Sequence, residues 1–132
     1  MAAKVLDSYT LMTFFQDDPG ADFVRGLIHK AMESGTSLLM SIVNLGEVWY
    51  SIARTNSPEV ADQYIHEIKG MGVEIVEADW ALTRQAAVFK SSGNISYADC
   101  FAAALAKLKK AELVTGDKEF KTLEGEIKIA WL

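Results

Sequence analysis

Leu113-Val114-Thr115-Gly116-Asp117 is a β-rich run that ends in a small turn and delivers one carboxylate. Open α/β sheets present their chemistry in this way, at the carboxyl ends of their strands. Working outward, the same pattern recurs upstream. Lys4-Val5-Leu6 is a short β-type run that ends at Asp7-Ser8 and leads into a helical stretch carrying Tyr9, Leu11, Met12 and Phe15. Ser37-Leu38-Leu39-Met40-Ser41 reads as a second buried strand, followed by Asn44-Leu45-Gly46-Glu47 and an apolar stripe of Leu45, Val48, Trp49 and Ile52. Val73-Glu74-Ile75-Val76 is a third strand, Glu112 to Thr115 a fourth, and Ile127-Lys128-Ile129-Ala130 a final edge strand.

Helical segments fill the intervals. Asp18-Pro19 has the form of a cap followed by proline at the first helical position, and Val24, Leu27, Ile28 and Ala31 recur at helical spacing until Ser34-Gly35. Ser57-Pro58 restarts a helix whose core face is Val60, Tyr64 and Ile68, and Asp79 opens another carrying Leu82, Ala86 and Phe89. Ser96-Tyr97-Ala98-Asp99 has capping-box spacing and heads a helix with Tyr97, Phe101, Ala104 and Leu108 on one face. Short strands alternating with helices predict a parallel sheet covered on both faces. The expected fold is thus an α/β/α three-layer sandwich, α/β class, with a central, mostly parallel sheet of four or five strands. All 132 residues belong to one domain on this reading.

Composition narrows the function. Half the residues are hydrophobic, 23% are charged, and the net charge is −5, which opposes a surface that coats nucleic acid non-specifically and leaves a local groove open. Cys100 is the single cysteine and lies in an apolar helical pattern, so a packed thiol in a reducing compartment is expected. No apolar run approaches the ~20 residues of a membrane span, and Met1-Ala2-Ala3-Lys4 opens no signal-peptide segment, which points to the cytoplasm. His29 and His66 have no second His or Cys at ligand spacing and read as surface residues. Trp49, Tyr50 and Trp80 are candidates for a partner surface, with core packing expected of at least two.

Right-handed crossovers put every strand-to-helix turn on one rim, so Asp7 and Asp117 share that rim by topology. Glu47 and Asp99 face it too if their helices start there. Each acid has a second reading as a helix cap: Asp7 at a helix start, Glu47 through its spacing from Asn44, Asp99 through its spacing from Ser96. Carboxylates that converged would repel one another, and a divalent cation resolves the repulsion. An all-oxygen set without His or Cys selects Mg²⁺ or Mn²⁺ over Zn²⁺. Such an ion suits phosphodiester hydrolysis, because it lowers the pKa of an attacking water and neutralises charge on the departing oxygen.

These residues resemble a PIN-domain ribonuclease, and in particular the VapC-type toxin of a toxin–antitoxin pair, along essentially the full length. Val5-Leu6-Asp7-Ser8 is similar to the family's opening strand and first acid, and Ser41-Ile42-Val43-Asn44-Leu45-Gly46-Glu47-Val48 to its second motif. Tyr97-Ala98-Asp99, with Ala102-Ala103-Ala104 and Ala106, is similar to the third, and Thr115-Gly116-Asp117-Lys118-Glu119-Phe120 to a T-x-D-x-x-F signature. The resemblance implies a Mg²⁺- or Mn²⁺-dependent endoribonuclease with Asp7, Glu47, Asp99 and Asp117 as catalytic and metal-binding acids. Ser8 and Thr115 would orient carboxylates or water from behind. It also implies an RNA substrate, a homodimer, and a cognate VapB-like antitoxin that covers the groove. Tyr9 departs from the family's pattern, in which a small polar residue follows Asp7-Ser8. Glu119 is a candidate fifth acid, with an exposed turn position as the simpler reading, and Lys118 and Lys121 are candidates for contacts to phosphate.

The alternative from another class is a non-catalytic binding module, in which the acids hold a structural ion or cap helices. A phosphoacceptor receiver fits less well, because Glu77-Ala78 stands where its aspartate would follow the third strand and no lysine follows the last one. No P-loop is present.

Overall fold

The runs that open on Lys4, Ser37, Val73, Glu112 and Ile127 all become strands, the second and fifth starting one residue later. In the computed structural model, which describes residues 3–132, they are β1 (Lys4–Leu6), β2 (Leu38–Ser41), β3 (Val73–Val76), β4 (Glu112–Thr115) and β5 (Lys128–Trp131). Met1 and Ala2, on which the reading of the N-terminus partly rests, lie outside the described residues. The five strands form one sheet in the order β3-β2-β1-β4-β5, and every adjacent pair is parallel. Between them lie α1 (Ser8–Phe15), α2 (Ala21–Ser34), α3 (Ile42–Thr55), α4 (Pro58–Gly70), α5 (Trp80–Ser91) and α6 (Tyr97–Lys109). A short 3-10 turn, Lys118–Leu123, follows β4.

Because alternate residues of a strand point to opposite faces, each apolar run feeds two cores. Val5, Leu39 and Leu113 pack on the side of Leu82, Phe89, Phe101 and Leu105 from α5 and α6. Leu6, Leu38, Met40 and Val114 pack on the other side, with Leu11, Val24, Ile28, Val48, Ile52 and Ile68 from α1 to α4. Burial on both faces explains why the strands carry consecutive apolar residues instead of an alternating pattern. Each fully buried leucine or valine here contributes roughly 1.5–3 kcal/mol.

Strand order places the site. Progress along the sheet reverses between β1 and β4, and such a reversal opens a crevice at the strands' carboxyl ends. Leu6 is paired in register with Val114, so the next residues, Asp7 and Thr115, emerge side by side on that rim.

Several local expectations are corrected. Proline 19 does not start a helix: Gly20 takes a left-handed conformation (φ 103°) as the residue before α2, and the Ala21 N–H closes a turn on the Asp18 carbonyl. The left-handed step breaks the register that a proline at the first helical position requires. In α6 there is no single apolar face. Every residue from Asp99 to Ala106 is buried, because this alanine-rich helix packs against the sheet, α5 and α3, while Tyr97 and Leu108 at its ends are exposed. The aromatic expectation also fails in part: Trp49 is half-buried, with its indole N–H donating to Asp62, but Tyr50 and Trp80 are exposed. Cys100 is fully buried, and both histidines lie on the surface. No described helix is long and apolar enough to cross a membrane.

Candidate metal centre

Asp7 is the first residue past β1 and caps α1. Its Oδ1 accepts the Thr10 N–H at 2.9 Å, and its Oδ2 accepts the Thr115 hydroxyl at 2.5 Å. Thr115, the last residue of β4, is fully buried, and its hydroxyl oxygen also accepts the Asp117 N–H at 3.0 Å. One hydroxyl therefore joins the first acid to the turn that carries the last. Asp117 Oδ1 accepts the Glu119 N–H at 3.0 Å and so caps the 3-10 turn. Thr10 adds a second tie between the two strand ends, since its hydroxyl donates to the Val114 carbonyl at 2.7 Å.

Glu47 comes from the opposite side of the crevice. Its Oε1 accepts the Ser8 hydroxyl and the Asn44 Nδ2, each at 2.9 Å. The capping box expected from the Asn44–Glu47 spacing does not form, because Ser41 caps α3 through the Val43 N–H and both residues lie inside the helix. Asn44 is fully buried, and its Nδ2 also reaches the Ala98 carbonyl of α6 at 3.0 Å. It holds Glu47 and fastens α3 to the helix that carries Asp99. Sequence spacing identified the pair and misassigned its purpose.

Asp99 stands in the first turn of α6, where Ser96 supplies the cap by accepting the Asp99 N–H at 3.2 Å. One oxygen of each of Asp99, Asp117 and Glu119 lies within 4.8 Å of the others. Glu119 is exposed, as a turn residue should be, yet it belongs to this group. It lies in the 3-10 turn after β4, where no periodic pattern marks it. Lys118 and Lys121 are exposed beside it, and no ion pair engages either among the described residues.

The electrostatics follow from this geometry. Burial pushes the Asp7 carboxyl up to about 6, even though the hydrogen bonds from Thr115 and Thr10 pull it down. Asp99 is pushed up to about 8, first by burial and then by the charges of Asp117, Asp7 and Glu47, with the Ser96 side chain opposing. Like charges crowded in low dielectric resist ionisation until a cation offsets them. The donors are all carboxylate oxygens, which match a hard divalent ion. The residues present therefore fit such a group. Carboxylates also retain lone pairs beyond those used here, since Asp7 and Asp117 each cap a helical turn with one oxygen.

The comparisons with known proteins agree with this picture. No curated protein matches the chain by sequence. Among solved structures, the chain is similar to VapBC2 from Rickettsia felis bound to a promoter DNA fragment (16% identity, 97% of each chain covered, TM-score 0.75). It is also similar to DNA-bound VapBC from Salmonella typhimurium (15% identity, 98% of each chain, TM-score 0.75). A third is VapC20 from Mycobacterium tuberculosis, described as a sarcin-ricin loop cleaving toxin (16% identity, 96% of this chain and 98% of that one, TM-score 0.73). At these identities the likeness bears on the fold. The profile of the PIN domain matches residues 4–126, from the first residue of β1 almost to β5, and the chain belongs to the PIN-domain family.

Proposed function

We propose that this chain is a divalent-metal-dependent endoribonuclease, acting through Mg²⁺ or Mn²⁺ as the toxin of a type II toxin–antitoxin pair. The observation that carries the reading is the unneutralised meeting of acids from β1, α3, α6 and the turn after β4, with Asp99 pushed up to about 8 by burial and its neighbours. Capping accounts for Asp7 and Asp117, and hydrogen bonds from Ser8 and Asn44 hold Glu47, but among the described residues no cation offsets the Asp99 carboxylate where it meets those of Asp117 and Glu119. That favours a bound ion over capping alone, and RNA cleavage separates the nuclease from a module that holds a structural ion.

In this mechanism Asp99, Asp117 and Asp7 hold the ion, and Glu47 and Glu119 complete the site from its two sides. When bound, the ion supplies a stronger water nucleophile and offsets charge on the departing oxygen. Thr115 fixes the Asp7 carboxylate in one orientation, and the Asp117 N–H fixes Thr115. Ser8 and Asn44 occupy one oxygen of Glu47, which leaves the other to orient a water or accept its proton. Lys118 and Lys121 attract the RNA phosphates toward the acids. The VapBC complexes it resembles support a VapB-like antitoxin as partner; that this antitoxin covers the rim, and that the chain pairs with a second copy in the cytoplasm, is part of the same proposal.

The test is cleavage of cellular RNA by the purified chain with Mg²⁺ or Mn²⁺, repeated with a chelator. Cutting that survives the chelator, or Asp99→Asn, removes this mechanism. A chain that binds Mn²⁺ tightly and cuts no RNA favours the binding module.

A further inference from the structure

Tyr9, which breaks the family's pattern, is 47% exposed on the rim, two residues past Asp7. Its ring lies against Gly116. A Cβ built on that glycine would come within 2.4 Å of Tyr9 Cε1, 3.0 Å of Cζ and 3.2 Å of Cδ1. Gly116 is not among the described residues with positive φ, so its backbone does not demand glycine. The ring does. The residue immediately before Asp117 thus lacks a side chain so that an aromatic can lie over the turn of the acid site.

Beyond the ring, Met12, Thr13 and Gln16 follow Tyr9 along one face of α1, and with Asp18 and Pro19 they line a recess of about 350 Å³. That is near the lower end of the size range of ligand pockets and suits one nucleoside, not a duplex. Its wall chemistry selects among parts of a nucleotide. The exposed Gln16 amide and Asp18 carboxylate can hydrogen-bond the edge of a base, whereas Asp18 repels a phosphate.

We propose that Tyr9 is a stacking platform for the RNA base beside the scissile phosphate, held in place by Gly116, and that the adjoining recess selects this base. The proposal rests on the ribonuclease reading above. A half-exposed aromatic at the mouth of a single-strand site stacks bases without discriminating strongly, and the polar wall adds the discrimination.

The experiment uses the full chain with Mn²⁺. Sequencing the 5′ ends of cut cellular RNA defines a cleavage position, and a single-stranded oligonucleotide containing it becomes the substrate. Tyr9→Phe is expected to cut within about two-fold of the wild type. Tyr9→Ala and Tyr9→Leu are expected to raise KM about ten-fold with a smaller change in kcat, because both lack a π-face. An abasic substitution beside the cut should cost the wild type the same factor and cost Tyr9→Ala nothing further. Leucine still covers Gly116, so a Leu variant that behaves like Phe overturns the proposal and leaves Tyr9 as packing. Thermal melts of each variant separate loss of fold from loss of stacking. Cellular RNA left uncut by the wild type with Mn²⁺ overturns the ribonuclease reading and this proposal with it, whereas cellular RNA that is cut while the single-stranded oligonucleotide is neither cut nor bound overturns this proposal alone. RNA cut with the same KM at the same positions by all four proteins overturns this proposal alone.

Discussion

The two ends of the sheet hold charge in opposite ways. At the carboxyl ends, Asp99, Asp117 and Glu119 come together and the charges of Asp7 and Glu47 bear on Asp99, with no described cation among them. At the amino ends, a hollow of about 1020 Å³ between α2 and β1, β4 and β5 is rimmed by Lys4, Lys30, Lys107, Lys110 and Lys128. There carboxylates stand among the lysines and two of the five are paired: Lys4 meets Glu112 at 2.6 Å and Lys107 meets Glu126 at 2.7 Å. The larger hollow is thus the electrostatically quieter one. Unrelieved repulsion among buried acids, which folding must tolerate, is a stronger mark of function than volume.

The most direct way to break this contrast is to neutralise one acid at each end. Asp99→Asn is expected to lower metal-dependent RNA cleavage at least about a hundred-fold, whereas Glu112→Gln at the opposite end should change it less than about two-fold. Equal losses from both, measured as kcat/KM on one RNA, would show that the acid rim has no special standing.

Thr115→Val sharpens the comparison at the level of supporting contacts. It keeps shape but leaves the Asp7 Oδ2 and the Asp117 N–H without their shared partner. A loss of roughly 10–100-fold in Mn²⁺ affinity or in activity is expected, read by calorimetric titration and by cleavage rate.

The acid rim also predicts a pH dependence. Asp7 and Asp99 have folded values of about 6 and about 8, above their ordinary value of 3.8. Between these limits the folded chain holds protons that the unfolded chain has released, so the stability these two groups contribute is fully present below about pH 4 and is lost as pH rises through about 6 and about 8. The melting temperature of metal-free protein should therefore fall over this window, and added Mn²⁺ should raise it most at pH 8. Asp99→Asn should flatten the fall. A metal-free melting temperature that climbs from pH 4 to 8 would contradict the crowding of these acids.

The smallest effect belongs to the amino end. Lys4 and Glu112 are each about one-third exposed, and Lys4→Met should cost less than about 1 kcal/mol in denaturant unfolding, the usual limit for a solvated pair. A larger loss would show that this end is under strain too.

Much of this architecture was legible because it is local. Strand limits shifted by a residue at β2 and β5, and the Ser34-Gly35 stop, the Ser57-Pro58 start and the Asp79 cap are all as their side-chain chemistry predicts. The rim positions of Asp7 and Asp117 follow from strand order and connection handedness. What escaped the sequence depends on distant partners. Asn44 is polar at the start of a helix, and only its contact with the Ala98 carbonyl of α6 shows that it works from inside the helix. The burial of α6 on all sides comes from two neighbouring helices and the sheet, which its own periodicity does not record. Glu119 is readable both as a fifth acid and as a solvated turn residue, and only its three-dimensional proximity to Asp99 and Asp117 decides between them.

The bond between Thr115 and Asp7 joins residues 108 positions apart in the chain. A ribosome delivers the N-terminal acid long before its last companion, and contacts of such long range form late in folding. Until β4 slides in beside β1, a nascent chain carries Asp7, Glu47 and Asp99 without the hydroxyl that orients the first of them. The centre is assembled only after β4 has been made, so the order of synthesis itself delays the appearance of whatever activity it has.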